Sequence, residues 1–134
     1  MLLGQFTIDV RMLEVIVLAA GRGTRMKSEL PKVLHPIGGK PMVACVLDTA
    51  RQLGAERIHV VVGHGASQVS DAVAAPDVEI YLQSEQLGTG HAALQAAPSC
   101  HADNTVLVLF GDVPLLSAGV LADVVSAAET QPTL

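Results

Sequence analysis

Val15-Ile-Val-Leu-Ala-Ala-Gly-Arg-Gly-Thr-Arg-Met-Lys-Ser-Glu-Leu-Pro-Lys-Val-Leu-His35 is the stretch whose reading decides the fold. It opens with a run rich in β-branched residues, apolar on both faces, which is the pattern of a parallel strand covered on both sides. The run stops at a loop holding Gly21 and Gly23, Arg22 and Arg25, and Lys27 and Lys32. Glycines let backbone N–H groups turn toward an anion, and Arg25, Lys27 and Lys32 bring positive charge to the same place. A loop of this kind, at the carboxyl end of a first strand, is where nucleotide-binding α/β folds place their ligand. The plainer alternative is a tight turn with solvated basic side chains.

Two better-known glycine loops are excluded by spacing. A dinucleotide fingerprint needs a third glycine at the sixth position, where this chain has Met26, and Ile58-His-Val-Val-Val-Gly63 ends without the acidic residue that holds a ribose. The P-loop pattern fails because Gly39-Lys40 runs into Pro41 and no glycine stands five places before Gly39.

Composition narrows the class. At 134 residues the chain is one domain at most. Half of it is hydrophobic, with one Tyr, two Phe and no Trp, so the core must be aliphatic. A net charge of −5 argues against nucleic-acid backbone as a partner. Five of the eight basic residues lie between Arg22 and Lys40, a concentration suited to a small polyanion. Cys45 and Cys100 have neither metal-ligand spacing nor a disulfide framework, and Cys45 falls on an apolar helix face. His35, His59, His64, His91 and His101 show no ligand spacing either and read as structural or solvated. Asp9 and Arg11 interrupt any leader-like apolar stretch, and no run approaches the ~18 apolar residues of a membrane span. These features read as a cytoplasmic protein, with 1–12 an N-terminal extension. Met12 is a candidate start.

Along the chain, Pro41 is placed to open a helix whose apolar stripe runs from Met42 to Leu53, with Gly54 as its stop. Residues 57–62 read as a second buried strand and 66–75 as a helix capped by Ser67 and stopped by Pro76. Residues 79–83 read as a third strand, Thr89 to Ala97 as a helix, and 105–110 as a fourth strand. Ser117 caps a last helix whose Val120, Leu121, Val124, Val125 and Ala128 share a face. Alternation of strand and helix implies an α/β fold, a doubly wound, Rossmann-like, mostly parallel sheet, and the expected strand order is 3-2-1-4. That order sets the basic glycine loop opposite Gly111-Asp-Val-Pro-Leu115. A carboxylate then faces a phosphate cradle, and Mg²⁺ is the natural bridge between Asp112 and nucleotide phosphates. Taken alone, Asp112 also suits an Asx-type turn.

Three segments together carry a resemblance: Leu18-Ala-Ala-Gly-Arg-Gly-Thr-Arg-Met with Leu30-Pro-Lys-Val-Leu-His, Gln83-Ser-Glu-Gln-Leu-Gly-Thr-Gly-His-Ala92, and Phe110-Gly-Asp-Val-Pro-Leu115. Over about 13–130 the chain resembles the sugar-phosphate nucleotidyltransferases. Within them it resembles the uridylyltransferase domain of bacterial bifunctional N-acetylglucosamine-1-phosphate uridylyltransferase/glucosamine-1-phosphate N-acetyltransferases. Thymidylyl- and molybdopterin-type relatives carry differently worded loops.

The resemblance implies transfer of UMP from UTP to N-acetylglucosamine 1-phosphate, giving UDP-N-acetylglucosamine and pyrophosphate for cell-wall synthesis. It implies that Leu18, Ala19, Ala20 and Gly21 line the nucleotide, with Gly23 and Thr24 in the same loop, and that Arg25 and Lys32 are catalytic cations on the phosphates. Gln83, Gly88 and Thr89 are expected near uracil and ribose, Phe110 and Gly111 beside them, and Asp112 on Mg²⁺. An amide such as Gln83 offers the donor and acceptor that an imide edge needs. Phe110 departs from the family's usual Tyr. The resemblance also implies that the acceptor pocket, an asparagine metal ligand and a trimer-forming β-helix lie beyond Leu134, so that 13–134 is the N-terminal part of a truncated nucleotidyltransferase domain, the nucleotide-binding part of a larger enzyme, and is inactive alone. Other sugar-phosphate nucleotidyltransferases, or a non-catalytic nucleotide-binding module, are the alternative readings.

Overall fold

The structure, a computed structural model, describes residues 12–21 and 30–130. The apolar run that opens the glycine loop forms strand β1 (Leu13–Ala19), which is central in a four-stranded sheet. β4 (Arg57–Val62) pairs with it on one side and β6 (Thr105–Phe110) on the other, both parallel, and β5 (Val78–Leu82) adds in parallel to β4. The order β5-β4-β1-β6 is the anticipated 3-2-1-4 of the long strands in chain sequence. A short antiparallel ribbon, β2 (Pro36–Ile37) with β3 (Lys40–Pro41), was not anticipated, because two-residue strands leave no periodic signal.

Strand alternation divides β1 between two cores. Val15, Val17 and Ala19 face α1 (Met42–Gln52), α2 (Ala66–Val73) and α4 (Ala118–Thr130). Ile16, Leu18 and Ala20 face α3 (Thr89–Ala96). Ile58 and Val60 on β4 are fully buried, as are Val15 and Val17, and each such side chain contributes about 2 kcal/mol by leaving water. The core is aliphatic, as the near absence of aromatic residues requires.

Several boundaries depart from sequence expectation. Pro41 stands just before the first turn of α1, not within it, and Gly54 follows the helix at φ +81°. Ser67 is inside α2, whose preceding residue is Gly65, and makes no capping bond. Thr89 is the first residue of α3, preceded by Gly88. Ser117 does cap, accepting from the Val120 N–H at 3.2 Å. The apolar stripe of α4 is only partly used: Leu121 is buried, while Val120 and Val124 are more than half exposed. On the opposite sheet face Val106, Val108 and Phe110 of β6 are also exposed, since α3 lies over β1, β4 and β5 and does not reach them.

The lower end of the sheet carries a buried polar knot. Glu14 and His59, side by side on β1 and β4, are 1% and 0% exposed. Glu14 Oε1 lies 2.7 Å from His59 Nε2, and Glu14 Oε2 accepts from the His101 N–H at 2.7 Å and from Asn104 Nδ2 at 2.9 Å. Burial alone would raise the Glu14 carboxyl, but the hydrogen bonds from His59, Asn104 and the His101 N–H outweigh it and hold the group below the usual carboxylate range. Removing this acceptor strands three donors. Glu14→Ala should therefore cost about 3 kcal/mol of stability, read as a lower urea midpoint, and a loss under ~1 kcal/mol would show that the knot is not structural.

Candidate functional site

Parallel pairing brings the carboxyl ends of β1, β5 and β6 to one edge, where a cleft of ≈340 Å³ opens. β1 and the residues just after it supply Leu18, Ala20 and Gly21, and β6 with the turn that follows supplies Phe110 and Asp112. The segment after β5 supplies Gln83, Gln86, Gly88 and Thr89. Lys32 and Val33 come from a 3₁₀ turn, Lys32–Leu34, that returns over the cleft. Backbone bonds fix these ends: Gly111 N–H donates to Leu18 O at 2.9 Å and Gln83 N–H to Val62 O at 2.7 Å.

Lys32 and Asp112 meet across the cleft. Lys32 Nζ lies 3.3 Å from Asp112 Oδ2, with the two side chains 47% and 35% exposed. At that exposure the pair adds little to stability, about 0–1 kcal/mol. Its importance is placement: a cation and a carboxylate from elements eighty residues apart in sequence share one mouth, as the strand order requires. Among the described residues lining the cleft, Asp112 is the one carboxylate.

Gln83 is almost fully buried, at 3% exposure, at the floor of the cleft. Its Nε2 lies 3.3 Å from Gly88 O and 2.8 Å from His91 Nδ1. His91, read from sequence only as structural or solvated, holds the Gln83 amide in place. Gln86 also lines the cleft and was not singled out from sequence. Both residues sit inside the motif Gln83–Ala92, which was the available signal. Gly88 and Thr89 put the N-terminus of α3 at the cleft, where free N–H groups favour an anion. Ala19 and Gly111 back the cleft without lining it; Ala19 packs into the α1-side core. Gly23, Thr24 and Arg25, with Arg22 and Lys27, lie outside the described residues.

Two glycines permit the close approaches behind this wall. A Cβ on Gly63 would stand 2.7 Å from Gln86 Nε2 and 3.0 Å from Ala20 O. Gly65 has φ +68°, and a Cβ there would come within 2.2 Å of Pro31 Cγ. Pro31 is buried and immediately precedes Lys32, and the turn it opens is closed by Leu34 N–H donating to Pro31 O at 2.9 Å.

Residues 15–133 match the family model of the MobA-like NTP transferase domain. The chain belongs to this family. Among curated relatives of this NTP transferase chain, it is 57% identical over 120 residues to the bifunctional protein GlmU of Cellvibrio japonicus, covering 90% of this chain and 26% of that protein. It is 62% identical over 109 residues to the bifunctional protein GlmU of Pseudomonas aeruginosa, covering 81% and 24%. The chain thus spans about a quarter of the length of the curated relatives it matches. Rv0371C of Mycobacterium tuberculosis, solved in complex with manganese, superposes at a TM-score of 0.75 with 25% identity, covering 90% of this chain and 61% of that one. The fold of the NTP transferases and the narrower likeness to GlmU are thereby both supported, as the three motifs imply.

Gly65→Ala tests the wall of this cleft. Left-handed strain of about 1–2 kcal/mol adds to the clash with Pro31, so the variant should lose at least ~2 kcal/mol in urea unfolding. It should also bind nucleoside triphosphate more weakly, because Lys32 follows Pro31. Unchanged stability would mean that the turn is not held by this contact.

Proposed function

We propose that this chain supplies the nucleotide-binding part of a uridylyltransferase, moving UMP from UTP to N-acetylglucosamine 1-phosphate with release of pyrophosphate. The observation that carries the reading is the Lys32–Asp112 pair at the mouth of a cleft floored by Gln83. The choice of base and sugar rests on the resemblance of the three motifs, with which the likeness to GlmU over most of the chain agrees.

The residues suit the chemistry. In-line attack by a sugar-phosphate oxygen on the α-phosphorus needs no enzyme nucleophile, only alignment and neutralisation of charge. Lys32 is the described cation in position to meet phosphate oxygens, and Arg25 is proposed beside it. The N-terminus of α3, at Gly88 and Thr89, offers N–H groups to an oxygen of the nucleotide. Gln83, its amide held by His91 and Gly88, reads the uracil edge. Leu18, Ala20 and Phe110 give the apolar wall against which a base packs.

Asp112 offers hard carboxylate oxygens within reach of Lys32, which fits a divalent ion of the Mg²⁺ type that takes one or two carboxylates plus phosphate oxygens. Bound there, Mg²⁺ would withdraw charge from the triphosphate and the departing pyrophosphate. In this reading the acceptor pocket, a second metal ligand and the trimer interface lie in sequence outside this chain. Alone it binds nucleotide in the cytoplasm without turnover.

Thermal melting with a panel of nucleoside triphosphates and Mg²⁺ tests this. UTP should raise the Tm most. A larger shift with CTP or dTTP would replace uridylyl transfer by another nucleotidyl transfer, and no shift with any would remove the site. In a chain extended to the length of its relatives, Lys32→Ala should lower turnover at least ~100-fold, about 2.7 kcal/mol of barrier, with stability changed by less than ~0.5 kcal/mol. Asp112→Asn should raise the Mg²⁺ concentration needed for half-maximal rate. Turnover within a few-fold of the parent in Lys32→Ala would reduce Lys32 to a solvated rim.

A further inference from the structure

Gln83 is nearly buried at the floor of the cleft, so hydrogen count decides which end of its amide a ligand meets. Its Nε2 lies 3.3 Å from Gly88 O, a carbonyl that can only accept. Turning the amide over would set two oxygens against each other there, so the NH₂ end faces Gly88. The same nitrogen lies 2.8 Å from His91 Nδ1. An amide nitrogen has no lone pair to offer, so Gln83 donates and His91 Nδ1 is the bare acceptor. Both amide hydrogens are then spent inside the protein. A neutral imidazole carries one proton, which here sits on Nε2. Gln95 Nε2, 3.4 Å from that ring nitrogen, itself donates to His91 O at 2.9 Å and cannot take the proton.

That leaves Gln83 Oε1. No described hydrogen bond uses it, yet no buried side-chain nitrogen or oxygen among the described residues lacks a partner. Oε1 is therefore the amide atom open to the cleft that Gln83 lines. The arrangement is set by backbone. Gln83 stands immediately after β5, and His91 lies in the first turn of α3. Gly88, at φ +102°, turns its carbonyl to accept from both the Ala92 N–H at 3.0 Å and Gln83.

On the nucleotide reading of the cleft, which this inference presupposes, we propose that His91 is a positioning residue for base selection. By accepting from Gln83 Nε2 it holds the amide with only the carbonyl turned to the ligand, so the cleft prefers an imide-type base with a ring N–H. Uracil meets Oε1 with its N3–H. Cytosine in the same pose sets the N3 lone pair against Oε1, and two facing acceptors forfeit the bond that each would make with water. A glutamine that by its chemistry offers donor and acceptor at once is reduced by the fold to an acceptor.

Isothermal titration of the full chain with UTP, CTP and N3-methyl-UTP, each with Mg²⁺, tests this together with His91→Leu and His91→Asn. The unmodified chain should bind UTP at least about tenfold more tightly than either of the others, which lack the N3–H. His91→Leu, its folding checked by circular dichroism, should weaken UTP until the three affinities lie within about threefold of one another. His91→Asn, whose Oδ1 can accept where Nδ1 did, should restore most of the preference, a pattern that a role in packing alone would not produce. Without nucleotide, ¹⁵N spectra should show His91 as the Nε2–H tautomer and slow exchange of the Gln83 side-chain amide protons. An Nδ1–H tautomer would overturn the lock in any variant background. CTP bound as tightly as UTP by the unmodified chain, or UTP preference undiminished in folded His91→Leu, would overturn the inference and leave the nucleotide reading standing. Binding of none of the three by the unmodified chain would remove the nucleotide reading and the inference with it.

Discussion

Parallel hydrogen bonding of β1 to β4 from Glu14↔Arg57 through Ala19↔Val62, and to β6 from Leu13↔Thr105 through Leu18↔Phe110, is the constraint on which the rest depends. A strand flanked on both sides satisfies its backbone only with both neighbours in register, and its two faces are then both withdrawn from water. The fully buried side chains of Val15 and Val17 on one face and the nearly buried Ile16 on the other follow from that position. So does the placement of chemistry at its ends. Glu14 enters the lower edge, while Leu18, Ala20 and Gly21 reach the upper one.

The upper edge is assembled from loops and owes its shape to close backbone approaches. Gly63 lets β4 end against Ala20 and Gln86, and Gly65 lets Pro31 sit where a side chain would otherwise stand. Lys32 is thereby carried back over the cleft toward Asp112. Neither residue is buried, so their proximity is imposed by the scaffold and not by their mutual attraction, which water largely screens. That leaves both charges available to a ligand. The lower edge is the reverse case: Glu14 and His59 are removed from water and must be satisfied where they stand.

β6 shows what an edge costs. Its inner face packs Leu109 into the α1-side core, but Val106, Val108 and Phe110 on the other face, with Val120 and Val124 on α4, remain open to water among the described residues. A strand reading Thr-Val-Leu-Val-Leu-Phe has neither charge nor proline to discourage edge pairing. The sequence pattern of α4 promised a buried stripe. The structure delivers one buried residue, Leu121, because the described residues put a partner under only part of that helix.

Local signals were enough for the long strands, their parallel pairing and their order, since a both-faces-apolar run, alternation with helices and right-handed crossovers leave few arrangements. Strand order was enough, too, to set the loop of Lys32 opposite Asp112, whereas Gln83, Gly88 and Thr89 were named through the motif resemblance; all five line one cleft. Helix starts were less legible: Ser67 lies inside α2, and the position before the helix is held by Gly65, whose φ of +68° and nearness to Pro31 leave no room for a side chain. Only tertiary structure could join Glu14, His59 and Asn104, which lie at least forty residues apart in sequence with no spacing to betray them. Register sets Glu14 beside the β4 strand and the turn before β6 brings Asn104 to Glu14. Local chemistry is written along the chain, whereas a cluster built across strands exists only once hydrogen-bond register has chosen which residues are neighbours.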